Sequence, residues 1–413
     1  MIYIYRLIIN IILIFSPLII LLRLINKKED IKRFKEKFSF SSKERKKGKL
    51  IWFHAASVGE FLSIVSLIKK LESNKKISQI LLTTSTLTSS KLFTKFKFKK
   101  TIHQFFPIDA NIVSRRFLNF WKPDLAIFVD SEIWPNTLLN LKKRSIKRIL
   151  LNARISKRSF KKWKKLGKFS KSIFQIFNYT YPQNSESKDH LQKIGVNNIK
   201  NLGNLKFSQN NFNTYKSNKN FNKLIKSKKI WCAASTHPGE EELCLEIHLK
   251  LIKRYPNLLL ILIPRHVERI NDLRRDLIKY NLKYHIHSDN RSINKETKLY
   301  IVDTYGETGL FFKKCKIVFL GKSLTVEGGQ NPLEPARDNC LIIHGPKVSN
   351  FKEIYYNLNK SKIAFKISNS NQLYKKIEDL LRNTKKNSKA KKQINLLGSK
   401  ILNNNFNEIR QYL

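Results

Sequence analysis

Short runs rich in branched and aromatic apolar residues recur along the chain, separated by longer amphipathic stretches. In the first half the runs are KLIWFHAA, QILLTT, IHQFFPI, DLAIFVD and RILLNARI, with EFLSIVSLIKKLES and NTLLNLKKRSI between them. Buried strands that alternate with helical patterns imply βαβ units around a parallel sheet. A polar stretch from Ser208 to Asn222 interrupts the pattern, which restarts with KIWCAAS, NLLLILIP, KYHIH, KLYIVD, KIVFLG, LIIHGP and IAFKIS. The restart echoes the beginning. LIWFHAASVGE and KIWCAASTHPGE each leave a strand through small residues to a glutamate at a helix start. An α/β chain of two Rossmann-like domains facing a cleft is expected, with ligands beyond the carboxyl ends of the strands. Its 413 residues suffice for two such cores. The predicted divisions are an anchor over 1–26, a first domain over 27–207, a linker over 208–226 and a second domain over 227–413 with C-terminal helices.

Residues 2–25 are apolar, interrupted by Arg6, Asn10, Pro17 and Arg23, and approach the ~20 residues needed to cross a bilayer. No A-x-A cleavage site follows, which argues against a removed signal peptide. Lys27, Lys28, Arg33, Lys35 and Lys37 come next, so the positive-inside rule keeps the remainder cytoplasmic. The segment either spans the membrane or, given Arg6 and Pro17, lies in its interface. Both readings hold the rest of the chain close to a membrane.

The 81 Lys and Arg against 30 Asp and Glu give a formal charge of +51, which points to an anionic partner or to compositional drift. The basic residues are dispersed and lack interleaved aromatics or any nucleic-acid motif, which argues against a nucleic-acid-binding module. Anionic substrates and anionic membrane lipids remain. Cys232, Cys244, Cys315 and Cys340 have no C-x-x-C spacing and read as reduced core residues.

Polar clusters follow several strands. Ser57 stands three residues before Glu60 in HAASVGE, the spacing of a capping box. That leaves Glu60 either a cap or a base whose ionised form the helix N-terminus would favour. Gly59, inside the same turn, costs about 1 kcal/mol against Ala, which makes sense if a substrate approaches the backbone there. Asp130 and Glu132 in VDSEIWPN and Lys206 in GNLKF, at the end of the last strand of this half, should gather with Glu60 at one sheet edge. In the second half Arg265 leaves a strand in IPRH, where a guanidinium suits a phosphate. Gly306 and Glu307 in DTYGETG suit a ribose or base. EGGQNPLEPA reads as a glycine-rich approach to a helix capped by Asn331 with Pro332 at its first position, another phosphate-binding pattern. These loops together describe a nucleotide pocket. No histidine or cysteine cluster stands at metal spacing, and His54, His237 and His266 read as hydrogen-bonding loop residues.

HAASVGE, SEIWPN, NARIS, GNLKF, STHPGEEE, PRHVER, DTYGETGL and GGQNPLEPA, in that order, resemble the bacterial 3-deoxy-D-manno-octulosonate (Kdo) transferases of lipopolysaccharide synthesis. The resemblance runs from the anchor almost to the C-terminus. It implies a GT-B fold and an enzyme at the cytoplasmic face of the inner membrane, with CMP-Kdo as donor, a lipid A precursor as acceptor and no metal. It further implies that Glu60 is the general base and that Asp130 and Lys206 stabilise the transition state. CMP contacts would fall on Pro264, Arg265, Tyr305, Gly306, Glu307, Asn331, Pro332, Leu333 and Glu334. The family usually carries Glu at the position of Asp130, His at that of Gln330 and a small residue at that of Lys322. Two alternatives stand beside this reading: a GT-B transferase using another nucleotide sugar, and a membrane-tethered basic nucleic-acid-binding protein.

Overall fold

The computed structural model describes residues 1–209, 219–289, 291–383 and 388–413, the last stretch with backbone only over 388–390. Two compact units result, Met1–Asn210 with Leu397–Leu413, and Asn211–Leu396. The expected second domain running to residue 413 is thus corrected. The helix Ser388–Arg410 carries the chain back to the first unit and buries Ile401, Asn405 and Ile409. Apolar positions this sparse give little sign in the sequence of which core they join. Of the expected linker, 210–218 lie outside the described residues. Its end is a helix instead, Lys219–Ile225, because Phe221 packs on the rings of Tyr300 and Phe311 at 4.7 and 5.3 Å.

The first unit holds β1 (Lys49–His54), β2 (Ile77–Thr84), β3 (Thr101–Phe105), β4 (Leu125–Val129), β5 (Lys147–Ala153) and β6 (Tyr179–Pro182). All pairings are parallel, in the order β3-β2-β1-β4-β5-β6. β4 is buried along its whole length, as a central strand covered by helices on both faces must be. Trp52 anchors the core, its ring 4.8 Å from Phe117 and 5.3 Å from Phe128, while its indole N–H donates to Thr83 Oγ1 at 2.9 Å. β6 is absent from the strands read in the sequence. It is a short edge strand ending in Pro182, where a missing N–H is tolerated.

The second unit holds β7 (Lys229–Thr236), β8 (Leu258–Pro264), β9 (Tyr284–Ile286), β10 (Leu299–Ile301), β11 (Ile317–Leu320), β12 (Leu341–His344) and β13 (Ala364–Lys366). Its order is β13-β12-β11-β7-β8-β10-β9, again all parallel. Every strand expected here from the sequence is present. The four cysteines are buried and unpaired.

Two helices position functional groups. α1 (Ile2–Ile25) is the apolar N-terminal segment, and among the described residues it is the helix long and apolar enough to cross a membrane. Pro17 has no N–H to offer the carbonyl of Leu13, and the Ser16 hydroxyl donates to that oxygen instead at 2.7 Å. α2 (Val58–Glu72) follows β1 and opens at the N-cap Ser57.

Candidate active site

In the first sheet the chain runs outward from β1 through β2 to β3, then returns to β4 and runs the other way. A crevice therefore opens between the loops that follow β1 and β4, the place where such sheets bind ligands. The first turn of α2, which the first of these loops leads into, carries Glu60, and the loop after β4 carries Asp130 and Glu132. Asp130 is buried and Glu60 only partly exposed.

Glu60 makes the expected capping box with its register shifted by one residue. Ser57 Oγ accepts from the Glu60 amide at 3.4 Å, while the carboxylate accepts from the amide of Ala56 at 2.7 Å and from the Ser57 hydroxyl at 3.0 Å. The charge balance is the reverse of the one expected from the helix N-terminus. Burial, then the charges of Glu132 and Asp130, push the Glu60 carboxyl up from 4.5 to about 7, outweighing the bonds from Ser57 and Ala56. A carboxylate poised there exchanges protons at neutral pH. A side-chain carbon added at Gly59 would meet no protein atom within 4 Å, so packing does not explain that glycine.

Asp130 has a left-handed backbone, φ 64°, a conformation that short polar side chains tolerate better than long ones. Its amide donates to Leu151 and its carbonyl accepts from the Arg154 amide, which ties the loop after β4 to the end of β5. Burial raises the Asp130 carboxyl, against the pull of Lys206 and Arg154. Burial likewise lowers the Lys206 ammonium, which Asp130 and Glu60 hold up. Glu132 is only partly exposed, yet bonds from His54 Nε2 at 3.0 Å and the Trp134 indole at 2.8 Å keep its carboxyl below the usual range. His54, taken in the sequence for a loop residue, ends β1 and orients this carboxylate, with Nδ1 facing Thr83 Oγ1 at 3.1 Å.

Lys206 owes its place to a neighbour that the sequence did not single out. Asn152, at φ 51°, accepts from the Leu205 amide at 3.0 Å and pins GNLKF beside β5. GNLKF itself is a tight 3₁₀ turn, not the end of a strand: Ile199 makes an isolated bridge to Thr180 and the turn begins at Leu205. The C-terminal helix braces it. A side-chain carbon at Gly398 would fall 2.3 Å from the Phe207 carbonyl oxygen, and one at Gly203 would fall 2.7 Å from Ile401. The structure thus gathers Glu60, Asp130, Glu132 and Lys206 at one sheet edge and adds Arg154.

In the second unit Arg265, Tyr305–Glu307 and Gln330–Glu334 follow β8, β10 and β11 and share the carboxyl edge of that sheet. Arg265 is exposed, and its amide donates to the Thr236 carbonyl at 3.0 Å, beside Pro264. The Tyr305 hydroxyl donates to Glu268 at 2.9 Å, Gly306 has φ 86°, and Glu307 accepts from Thr304 and lies 3.3 Å from His287 Nε2. The helix beyond GGQN begins one residue later than expected, at Leu333. Pro332 is the N-cap residue, and Asn331 Oδ1 reaches past it to the Leu333 amide at 3.1 Å. Glu334 accepts from Thr308 at 3.3 Å and is raised by burial.

One glutamate organises these loops. Glu240 is fully buried and accepts from the amides of His237, Lys322, Ser323 and Leu324 at 2.7–3.0 Å. It lies where the strand order reverses between β7 and β11. Lys322 has φ 55°, a left-handed conformation that favours glycine. Two surface concavities, one lined by Lys228, Lys229 and Tyr255 and one by Lys316 and Leu380, lie at the opposite edge of the sheet. Among the described residues no three His, Cys, Asp or Glu side chains cluster as a metal site requires.

Two parallel α/β units with polar loops at the carboxyl edges of their sheets define a GT-B-type fold. The UDP-GlcNAc 2-epimerase of Neisseria meningitidis, solved bound to UDP-GlcNAc, shares this fold with a TM-score of 0.57 at 12% identity, over 88% of this chain and 99% of that one. A sequence profile described as 3-Deoxy-D-manno-octulosonic-acid transferase (kdotransferase) matches residues 32–209. The 3-deoxy-D-manno-octulosonic acid transferase of Rickettsia bellii is 37% identical over 364 residues, 88% of this chain and 87% of that protein. That of Haemophilus influenzae is 30% identical over 367 residues, 88% and 85%. The chain belongs to the 3-deoxy-D-manno-octulosonic acid transferase family and is a glycosyltransferase.

Proposed function

We propose that this enzyme transfers Kdo from CMP-Kdo to a lipid A precursor with inversion, at the cytoplasmic face of the inner membrane, without a metal. The observation that carries the reading is Glu60: a carboxylate held near neutrality beside Asp130 and Lys206, where the strand order reverses, in a chain of this family. Glu60 takes the proton of an acceptor sugar hydroxyl as that oxygen attacks the anomeric carbon of Kdo. The bond from that carbon to the CMP phosphate breaks on the opposite face, and CMP leaves with the electron pair. Proton removal by a positioned carboxylate contributes roughly 10²–10⁴-fold. Lys206, supported by Asp130, offsets charge in the transition state.

In this reading the second unit holds CMP. Arg265 beside Pro264 serves the phosphate, Tyr305, Gly306 and Glu307 the nucleoside, and Asn331 to Glu334 complete the pocket. Gln330 can still donate a hydrogen bond where the family has His, but carries no charge. Part of the +51 charge serves the acceptor phosphates and the anionic lipid around them.

Incubation with CMP-Kdo and a tetra-acylated lipid A precursor, followed by mass spectrometry, should show products heavier by whole Kdo residues. Transfer from a UDP-sugar and none from CMP-Kdo would overturn the donor assignment. Arg265→Ala should weaken CMP binding at least ~10-fold by calorimetry, the loss of one charge-assisted contact. Unchanged affinity would remove Arg265 from the pocket.

A further inference from the structure

One side of the N-terminal helix is less exposed than the rest. Ile2, Tyr5, Arg6, Ile9, Leu13, Ser16, Ile20, Arg23 and Leu24 are the residues with reduced exposure, recurring every three or four positions and so forming one stripe. The stripe is held at both ends. Near the start the Tyr5 hydroxyl donates to Asp109 at 2.7 Å and Arg6 Nε to Asn136 Oδ1 at 3.0 Å. Near the end Arg23 pairs with Glu29 at 2.6 Å, and Lys37 bonds the same carboxylate. Asp109 is no loose surface group. It is 2% exposed and also accepts from the amides of Asn136 and Thr137 and from the Thr137 hydroxyl, at the start of the helix that follows SEIW.

A helix of 24 residues is about 36 Å long, so Tyr5 and Arg23 are separated by about 27 Å along its axis. If the helix crossed a bilayer, one of these ends would lie at the face opposite the body of the protein, and the bonds to Asp109 and Asn136 would be broken. The remaining surface of the helix is almost wholly apolar, with Ile4, Ile11, Leu18 and Ile25 exposed in steps of seven residues along one side. The first unit also carries exposed apolar side chains of its own. Phe40 and Ile112 are exposed, and the Arg116 guanidinium lies 4.8 Å over the Phe40 ring. Apolar side chains rimmed by cations match the interface of an anionic leaflet, with hydrocarbon below and phosphates above.

We propose that α1 is an in-plane membrane helix. It lies flat in one leaflet, docked through its Tyr5–Arg6–Ser16–Arg23 stripe onto the first unit, and does not span the bilayer. This rests on the reading of α1 as a membrane anchor and fixes its orientation. One consequence is that the membrane surface is registered against the active site, because Asp109 joins α1 to the helix whose preceding loop carries Asp130 and Glu132.

The test places a spin label singly at Ile4→Cys, Ile11→Cys, Leu18→Cys and Ile25→Cys in the full chain. The native cysteines are buried, and the labelled positions are exposed, so folding is spared. Immersion depth is then read from oxygen and nickel-chelate accessibility in vesicles of phosphatidylethanolamine and phosphatidylglycerol. The expected result is four depths equal within about 5 Å. In a spanning helix Ile11 and Leu18 would lie ~10 Å or more deeper than Ile4 and Ile25, given 1.5 Å per residue, and that profile overturns the proposal. Labels shielded from both reagents would also overturn it, showing that a second protein copy covers the face. Failure of the labelled protein to bind vesicles at all would instead refute the anchor reading beneath it. As a second readout, an Arg6→Cys, Asn136→Cys pair, whose thiols lie too far apart for a disulfide, should be joined in membranes by a short bismaleimide, and absence of the cross-link with both thiols reactive counts against docking.

Discussion

Replacing Glu60 by Gln should stabilise the protein while abolishing its chemistry. Gln retains an oxygen for the Ala56 amide and shape for the Ser57 contact, so the cap survives and only the charge is lost. Because the folded carboxyl is raised from 4.5 to about 7, the native state holds its proton more tightly than the unfolded chain does. Wild-type stability is therefore undiminished below pH 4.5, falls as pH rises towards 7, and stays reduced above it. At 1.36 kcal/mol per pH unit the full displacement corresponds to ~3 kcal/mol. Partial exposure of the side chain screens this to about 1–2 kcal/mol. Trp52, Trp121, Trp134 and Trp163 all belong to the first unit, so tryptophan fluorescence in urea reports chiefly on it. The variant should unfold at higher urea than wild type at pH 8 and at nearly the same urea at pH 4.5, with Kdo transfer reduced at least ~10²-fold. Equal midpoints at pH 8 would refute the argument that burial and neighbouring carboxylates load this residue. Near wild-type turnover would remove it as the base.

Three further substitutions separate roles that the structure assigns. Gly59→Ala should stabilise α2 by up to about 1 kcal/mol, and a raised KM for the acceptor with kcat little changed would mark backbone approach at this turn; unchanged kinetics would leave the glycine without a substrate role. Gly398→Ala forces a carbon against the Phe207 carbonyl and should cost about 1–3 kcal/mol, with turnover falling as Lys206 shifts; an unaffected melting temperature would show that the C-terminal helix does not brace GNLKF. Glu240→Ala leaves four amides without their acceptor, so a loss of at least ~3 kcal/mol is expected together with weakened CMP binding. Normal CMP affinity in that variant would separate the loop from the nucleotide.

The order of apolar runs and amphipathic stretches was enough to predict both parallel sheets, because strands buried on both faces carry near-continuous apolar sequence. β6 escaped for the same reason: a short edge strand ending in proline has no such run. The ordered motifs named the family and placed Glu60, Asp130 and Lys206 in one group, since loops at the carboxyl edge of a parallel sheet converge wherever the chain order reverses. Spacing alone did not show Asn152 and Gly398 as the supports of Lys206, because each acts on residues distant in the chain. The charge state of Glu60 was likewise decided in three dimensions. A helix N-terminus is a local feature and favours the anion, whereas burial and the approach of Asp130 and Glu132 are tertiary and favour the acid. The sequence also established that residues 2–25 are apolar enough for a membrane. Only the folded chain brought Tyr5 and Arg6 to Asp109 and Asn136, residues more than a hundred positions away, since hydrophobicity is a property of each residue and docking is a property of pairs.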